Sequence, residues 1–495
     1  MNMEDFHGDG KEYKFSVNLQ NPLPTIWSNI ISNKRFGLIT TENMQDVIWN
    51  KNSRLNRITS WNNDTVLNIP SQIIYIRDEN NGKAWTLNSN IIPNSNYYYV
   101  TYGFGYSKYK NVYDELLQET DIFVPNDSSN CITKIRFKNT SSEIKKIKIL
   151  VYLKIALGED EYITNGNCYI EKHKNIIFMK NLFSIPEFKK ISYITSNQEI
   201  REFTKSKKIF FGNGSLNKPD CLFANVFESK SGIGNCVGLE FEIELKEFEE
   251  KYLNIIVGQE NTVKDIEEQY YNFYNIKNID LALTEVSKRW GDLINVLNVK
   301  TPDDKLNILI NGWLIYQTIS CRIWGKSAFY QSGGAIGFRD QLQDCMGMKY
   351  VDSSLLREQI IKCAMHQFLE GDVLHWWHEE TKKGTRTRFS DDLLWLPYSV
   401  AQYIKVTNDE EILNEKLEYL SGEELKKDEN EVYNQFYISN IKEDLYSHCI
   451  RAIDKACQFG ENGFPLIGSG DWNDGFSNIG SKGKGESIWL RFFLI

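Results

Sequence analysis

The sequence predicts an antiparallel β-sandwich, a helical linker and then a toroid of helical hairpins. Three observations carry this reading: short runs in the first half alternate apolar and polar residues with a period of two, the last third follows helical stripes, and long polar, glycine-rich loops separate those stripes. The divisions fall at about 1–261 for the sandwich, 262–300 for the linker and 301–495 for the helical part. A chain of 495 residues is long enough for two large domains or three ordinary ones.

In the sandwich half, Thr133-Lys134-Ile135-Arg136-Phe137-Lys138 alternates, as do Leu239, Phe241, Ile243 and Leu245 against Glu240, Glu242, Glu244 and Lys246. That pattern gives a strand one buried and one wet face. Ile147 to Ile155 is apolar with sparse charges, as in a sandwich-core strand. Ile73 to Ile76 and Lys83 to Leu87 flank Asn80-Asn81-Gly82, a hairpin turn. In the helical half, Thr301-Pro302-Asp303-Asp304 reads as an N-cap, a proline at the first helical position and an acidic first turn. The stripe Leu306, Leu309, Ile310, Trp313, Leu314 and Gln317 follows. A second helix is predicted from Asp352 to about Glu370, with Leu355, Leu356, Ile360, Cys363 and Ala364 inward. A third runs from about Glu443 to Phe459, stopped by Gly460, with Leu445, Cys449, Ala452, Ile453 and Ala456 on one face.

Composition narrows the function. Hydrophobic residues at 41% and charged residues at 25% are ordinary globular values, which excludes disorder, collagen and coiled coil. The net charge of −9 argues against nucleic acid or an anionic membrane as partner. No apolar run approaches the roughly 18 residues of a membrane span, and the polar start MNMEDFHGDGKEYKF lacks a signal-peptide core. Nine cysteines without CxxC spacing suggest reduced thiols in a cytoplasmic protein and show no zinc signature. Aromatic residues at 13% fit β-sheet packing or a sugar-binding cleft equally well.

Three loop clusters carry chemistry suited to sugars, which offer C–H faces to aromatic rings and paired hydroxyls to polar groups. The first is Tyr330 to Asp344, where glycines allow close backbone approach and Arg339-Asp340 could grip hydroxyls or form only a local ion pair. The second is Gly371 to Asp392. His375 and His378 frame Trp376 and Trp377, which fits a sugar cleft better than a metal site. Lys382, Lys383, Arg386 and Arg388 could attract an anion or be a solvated basic loop, and Ser390-Asp391-Asp392 could simply cap the next helix. The third is Gly468-Ser469-Gly470-Asp471-Trp472-Asn473-Asp474-Gly475, with two carboxylates around an indole. Inverting glycosyl transfer needs one carboxylic acid to protonate the leaving oxygen. A nearby indole and a second carboxylate both favour a carboxyl that keeps its proton. The spacing does not match an EF-hand, although a calcium-like turn or a capped loop stays open.

The motifs GFRDQLQD (337–344), EGDVLHWWH (370–378), TRFSDDLLWLPY (387–398) and GSGDWNDG (468–475) resemble glycoside hydrolase family 94, formerly glycosyltransferase family 36. Asn21-Pro22-Leu23-Pro24, Trp49 to Arg57 and Trp61-Asn62-Asn63-Asp64 also resemble that family's N-terminal domain, in texture nearest its cyclic-β-1,2-glucan-synthase branch. The resemblance implies a β-sandwich, a helical linker and an (α/α)6 barrel, here partial. It implies reversible phosphorolysis of β-linked gluco-oligosaccharides, β-1,2 or β-1,4, with inversion to an α-sugar-1-phosphate. Inorganic phosphate is then the co-substrate, with no further cofactor and no metal, and the family's homodimers make a second copy a possible partner. On matching motifs, Asp474 is the catalytic acid and Trp472 lines the donor-sugar subsite. Arg339 and Asp340 contact sugar or phosphate, and Asp344 and Asp471 support sugar hydroxyls. His375, Trp376 and Arg388 complete the substrate-binding set. Family members continue well beyond Ile495 with residues that complete the barrel and hold phosphate, so the resemblance also implies a C-terminally truncated chain. Two other readings stay open: an inverting hydrolase in which Asp391 activates water, and a non-catalytic carbohydrate-binding remnant.

Overall fold

Alternating hydrophobicity in the first half is realised as antiparallel sheets. The computed structural model describes residues 5–495 except 8, 21, 63, 65 and 225, so Asn21 and Asn63 of the N-terminal motifs lie outside the described residues. The chain divides into two compact units, one running to Ile294 and including Val299–Gly334, the other comprising Asn295–Asn298 and Ala335–Ile495.

In the first unit the described residues form an eleven-stranded sheet and two five-stranded sheets. The middle of the large sheet runs Leu116–Phe123, Asn130–Asn139, Glu250–Glu260, Ile191–Ser196, each strand antiparallel to the next. In Asn130–Asn139, Ile135 and Phe137 point into the core while Lys134, Arg136 and Lys138 stay half-exposed, as the period of two predicts. The apolar strand Lys145–Leu153 lies between Gln72–Asp78 and Val237–Leu245 and is buried almost throughout. On Val237–Leu245, Leu239, Phe241, Ile243 and Leu245 are buried and Glu242 and Glu244 exposed. Glu240 departs from the pattern: it is 7% exposed, and the ammonium of buried Lys148 lies 2.9 Å from its carboxylate. The predicted hairpin forms, with Ile76 opposite Trp85 and Gly82 at φ +75°, a left-handed conformation that glycine adopts without strain.

Two helices follow. Val263–Tyr274 opens on a capping box between Thr262 and Asp265, and Ile276–Ile294 buries Ile279, Ala282, Val286, Trp290 and Ile294 along one stripe. The next helical stretch differs from expectation. Its cap is Asp303, not Thr301: Asp303 accepts from the amides of Lys305 and Leu306, and Pro302 precedes the cap. Leu309–Trp313 and Thr318–Gly325 wind as π-helix, which adds residues per turn and slides the stripe. Trp313, Ile315, Tyr316 and Ile319 are buried, while Leu306, Leu309 and Leu314 are exposed.

In the second unit the helices Phe338–Met348, Ser353–Ala364, Asp392–Thr407 and Leu445–Ala456 pack together. The predicted inward residues of the second helix are all buried, but it ends at Ala364 rather than near Glu370. The third starts at Leu445 under an Asp444 cap and ends three residues before Phe459, while Glu443 belongs to the strand Tyr437–Asp444. Stretches read as loops also form strands: Ile336–Gly337, Leu374–His378, Lys383–Thr387 and Glu431–Gln435 make one antiparallel sheet. Tryptophan and threonine, with high β-propensity, alternate there over runs too short to show a convincing period.

Removing one partner of a buried ion pair strands the other charge, so Glu240→Ala should destabilise the first unit by about 3 kcal/mol. Chemical denaturation followed by tryptophan fluorescence measures this; an unchanged midpoint contradicts a structural role for the pair.

Candidate active site

The site grows from the first turn of the helix Phe338–Met348. Arg339 lies there, buried, with its guanidinium surrounded by acceptors. Nη1 donates to Asp391 Oδ2 at 3.0 Å and to the carbonyls of Asp471 and Trp472 at 3.4 and 3.2 Å, and Nη2 donates to Asp474 Oδ1 at 2.9 Å. Its neighbour Asp340 is exposed, 3.9 Å from Nε, and Asp344 stands one turn further on the same helix face. Arg339 is therefore committed to protein acceptors rather than presented as an open fork for hydroxyls. Burial opposes its charge, but Asp391 and then Asp474 outweigh burial and raise its pKa.

Two loops meet under Arg339 because glycine lets their backbones touch. Phe389 bridges to Gly468 and Gly470, Ser390 N donates to the Gly470 carbonyl at 3.0 Å, and Ser469 N donates to the Arg388 carbonyl at 3.1 Å. A side chain at Gly468, which has φ +63°, would meet the Arg388 carbonyl, and one at Gly470 would strike the Phe389 ring. The glycines of this motif thus serve loop–loop approach. The loop then braces itself. Asp471 Oδ1 accepts from Asn473 N at 3.0 Å and Oδ2 from Ser487 Oγ at 2.6 Å, while Asn473 Oδ1 accepts from Gly475 N at 3.0 Å. Asp471 is a loop brace whose side chain is spent. Asp474 is 54% exposed, with one oxygen on Arg339. Trp472 is 53% exposed, so a guanidinium, and not a sheltering indole, is the contact that holds Asp474.

Below them lie Asp391 and Asp392, 0% and 1% exposed. Asp391 starts the helix Asp392–Thr407 but makes no cap bond: its Oδ2 accepts from Arg339 and from Trp395 Nε1 at 3.1 Å. Asp392 Oδ2 pairs with His375 Nδ1 at 2.7 Å. The Oδ1 atoms of both are buried without a hydrogen-bond partner. Burial, then the neighbouring Asp392, lifts the Asp391 pKa to about 6 against the pull of Arg339. Burial raises Asp392 as well, with His375 opposing.

His375 reaches this place because the strand is bulged. Leu374 faces Arg386 and Trp376 faces Thr385, leaving His375 as the extra residue, and a bulge re-aims a side chain. Its ring stacks on Phe389, centroids 4.5 Å apart and planes 16° from parallel. Trp376 instead stacks on Tyr433. The Arg388 guanidinium donates to the carbonyls of Leu425, Lys426 and Glu429, and only its main chain meets the glycine loop, through Ser469. Arg386 is not an anion trap: it is buried over Phe368, paired with Asp372 at 2.6 Å and Glu370 at 3.0 Å. The structure thus joins Arg339, Asp471, Trp472 and Asp474 through direct contacts, and His375 through Asp392. The Trp376 ring is spent on Tyr433, and the Arg388 guanidinium on the carbonyls of Leu425, Lys426 and Glu429. Sequence reasoning missed Asp392, because an acidic pair before an apolar helix reads as a cap.

Because Asp391 has a folded pKa of about 6 against an ordinary value near 3.8, the native state holds more protons than the unfolded state between those values. Stability should therefore fall as pH rises through that window. Asp391→Asn should flatten that fall, read as the urea midpoint at pH 4.5 and 6.5; an unaltered slope excludes Asp391 as its source.

Residues 11–275 match the glycosyl hydrolase 94 supersandwich domain, and residues 289–495 match the glycosyl hydrolase 94 superfamily catalytic domain. A cyclic β-(1,2)-glucan synthase of Rhizobium meliloti is 33% identical over 99% of this chain and 18% of its own length. An N,N'-diacetylchitobiose phosphorylase of Vibrio furnissii is 21% identical over 98% of this chain and 63% of its own. A solabiose phosphorylase of Paenibacillus borealis is 23% identical over 86% of this chain and 53% of its own. The chain therefore spans less than two thirds of these relatives. With both domain models matched in order along the chain, it belongs to glycoside hydrolase family 94.

Proposed function

We propose that this chain carries the active site of an inverting glycoside phosphorylase acting on β-linked gluco-oligosaccharides, with Asp474 as the proton donor. The carrying observation is the Asp474 carboxyl itself: one oxygen is anchored on Arg339, and the side chain remains half exposed at the tip of a braced glycine loop. An acid must be both aimed and reachable, and this geometry provides each. In the proposed step a phosphate oxygen attacks the anomeric carbon as the glycosidic C–O bond breaks, and the Asp474 proton passes to the departing oxygen. The products are an α-sugar-1-phosphate and the shortened saccharide.

The exposed Trp472 indole supplies a flat apolar face beside Asp474, suited to the C–H face of the donor sugar. Similarity to a cyclic β-(1,2)-glucan synthase favours a β-1,2 linkage over β-1,4. No cofactor beyond phosphate is invoked, and we place the enzyme in the cytoplasm. None of the helices among the described residues is long and apolar enough to cross a membrane. Hydrolysis with Asp391 as base is disfavoured, because that carboxylate is enclosed and its Oδ2 already accepts two hydrogen bonds.

Asp474→Asn should lower phosphorolysis by roughly 10³-fold, in line with loss of a general acid, while sugar binding weakens only modestly. Release of sugar-1-phosphate from β-1,2 and β-1,4 oligosaccharides, with and without phosphate, measures this. Release of free glucose without phosphate contradicts the reading, as does wild-type turnover by Asp474→Asn. Trp472→Ala should weaken donor-sugar binding by roughly ten-fold, the scale of one lost aromatic contact.

A further inference from the structure

Proton transfer by Asp474 leaves His375 and Asp392 unexplained, although both are held in the same cluster. Three constraints fix the imidazole. The bulge at 375 turns it out of the strand register, Phe389 covers one face at 4.5 Å, and Asp392 takes Nδ1 at 2.7 Å. Phe389 is itself locked by its bridges to Gly468 and Gly470, so the ring is seated against the loop that carries Asp474. The side chain is 18% exposed, and Nε2 has no partner among the described residues yet is not sealed from solvent. Arg339, by contrast, has both terminal nitrogens on carboxylates and carbonyls. His375 Nε2 is thus the ring edge of this cluster left open to a ligand.

Resting on the phosphorolytic reading of Asp474, we propose that Asp392 is a positioning residue that holds the His375 Nδ1–H inward and turns Nε2–H toward a ligand oxygen bound beside Asp474. That oxygen is an acceptor of one chemistry with two sources, a donor-sugar hydroxyl or inorganic phosphate. A carboxylate can only accept, so an ionised Asp392 puts hydrogen on Nδ1, and a cationic ring then donates from both nitrogens. The charged groups acting on the ring are Asp392 on the helix it starts, Asp474 on the glycine loop and Arg339 on the 338–348 helix. Burial and Arg339 favour the neutral ring; Asp392 and Asp474 outweigh them, and the balance lies toward the cation.

The test uses the full chain with ¹⁵N-labelled histidine, of which it has six, with His375 assigned by the signal lost in His375→Gln. We expect the ring to titrate above an ordinary histidine, and Asp392→Asn to move the titration midpoint down by about one pH unit, the scale of one lost charge partner. Inorganic phosphate or glucose added separately should shift Nε2, and whichever does so identifies the source. In the phosphorolysis assay, Asp392→Asn and His375→Gln should each raise KM for that same co-substrate by roughly ten-fold, with a smaller change in kcat, as expected for one charged hydrogen bond. A wild-type midpoint no higher than that of an ordinary histidine, or one unmoved by Asp392→Asn, overturns the proposal. So does an Nε2 signal indifferent to both ligands. The spectra need no turnover, so they decide this inference even if the chain lacks phosphorolysis. Conversely, loss of activity in Asp474→Asn with an Nε2 signal that still responds to the ligand supports both readings separately.

Discussion

One guanidinium organises the catalytic region. Arg339 is buried, and a buried cation survives only when it is paired and its donors are satisfied. Here the pairing draws together parts of the chain that are far apart in sequence: a helix start at 338, an acidic pair at 391 and a glycine loop at 468–475. The same contacts that neutralise Arg339 aim Asp474. The position of the Asp474 carboxylate and the compensation of the buried guanidinium are thus one physical arrangement.

The surrounding charges are arranged by depth. Asp474 is half exposed, Asp391 and Asp392 are enclosed, and Arg339 and His375 lie against both levels. Burial keeps the lower carboxylates prone to protonation, while the guanidinium and imidazole resist that tendency. The two enclosed carboxyls share one tendency and differ in their partners, Arg339 for Asp391 and His375 for Asp392.

Much of this was legible in the residues. Period-two alternation at 239–245 marked a strand, and the Asn-Asn-Gly turn before Lys83 marked a hairpin, because each signal is local. The glycine loop and its two carboxylates stood out in the residues, and the structure brings that loop onto Arg339. What could not be read was the identity of contacts between distant segments. Asp392 looked like a cap, since nothing local reveals a histidine 17 positions upstream as its partner. Arg339 looked like an open fork, since its acceptors come from two separate segments far along the chain, Asp391 and the loop at 471–474. The stripe from Leu306 slipped because π turns change the residue count per turn, which no 3.6-residue template registers. Glu240 broke the alternation because Lys148, on the neighbouring strand, made its burial tolerable.

The interlock of Gly468 and Gly470 with Arg388 and Phe389 has a consequence for how such a scaffold diversifies. Each stretch is shaped to the other's main chain, with no room for a side chain between them. Neither can be exchanged by itself: grafting one from a relative would leave its counterpart facing the wrong contour, and the tip bearing the acid would lose its seat. Variation on this framework therefore has to arise at the exposed rim, or through concerted replacement of both stretches as a single cassette.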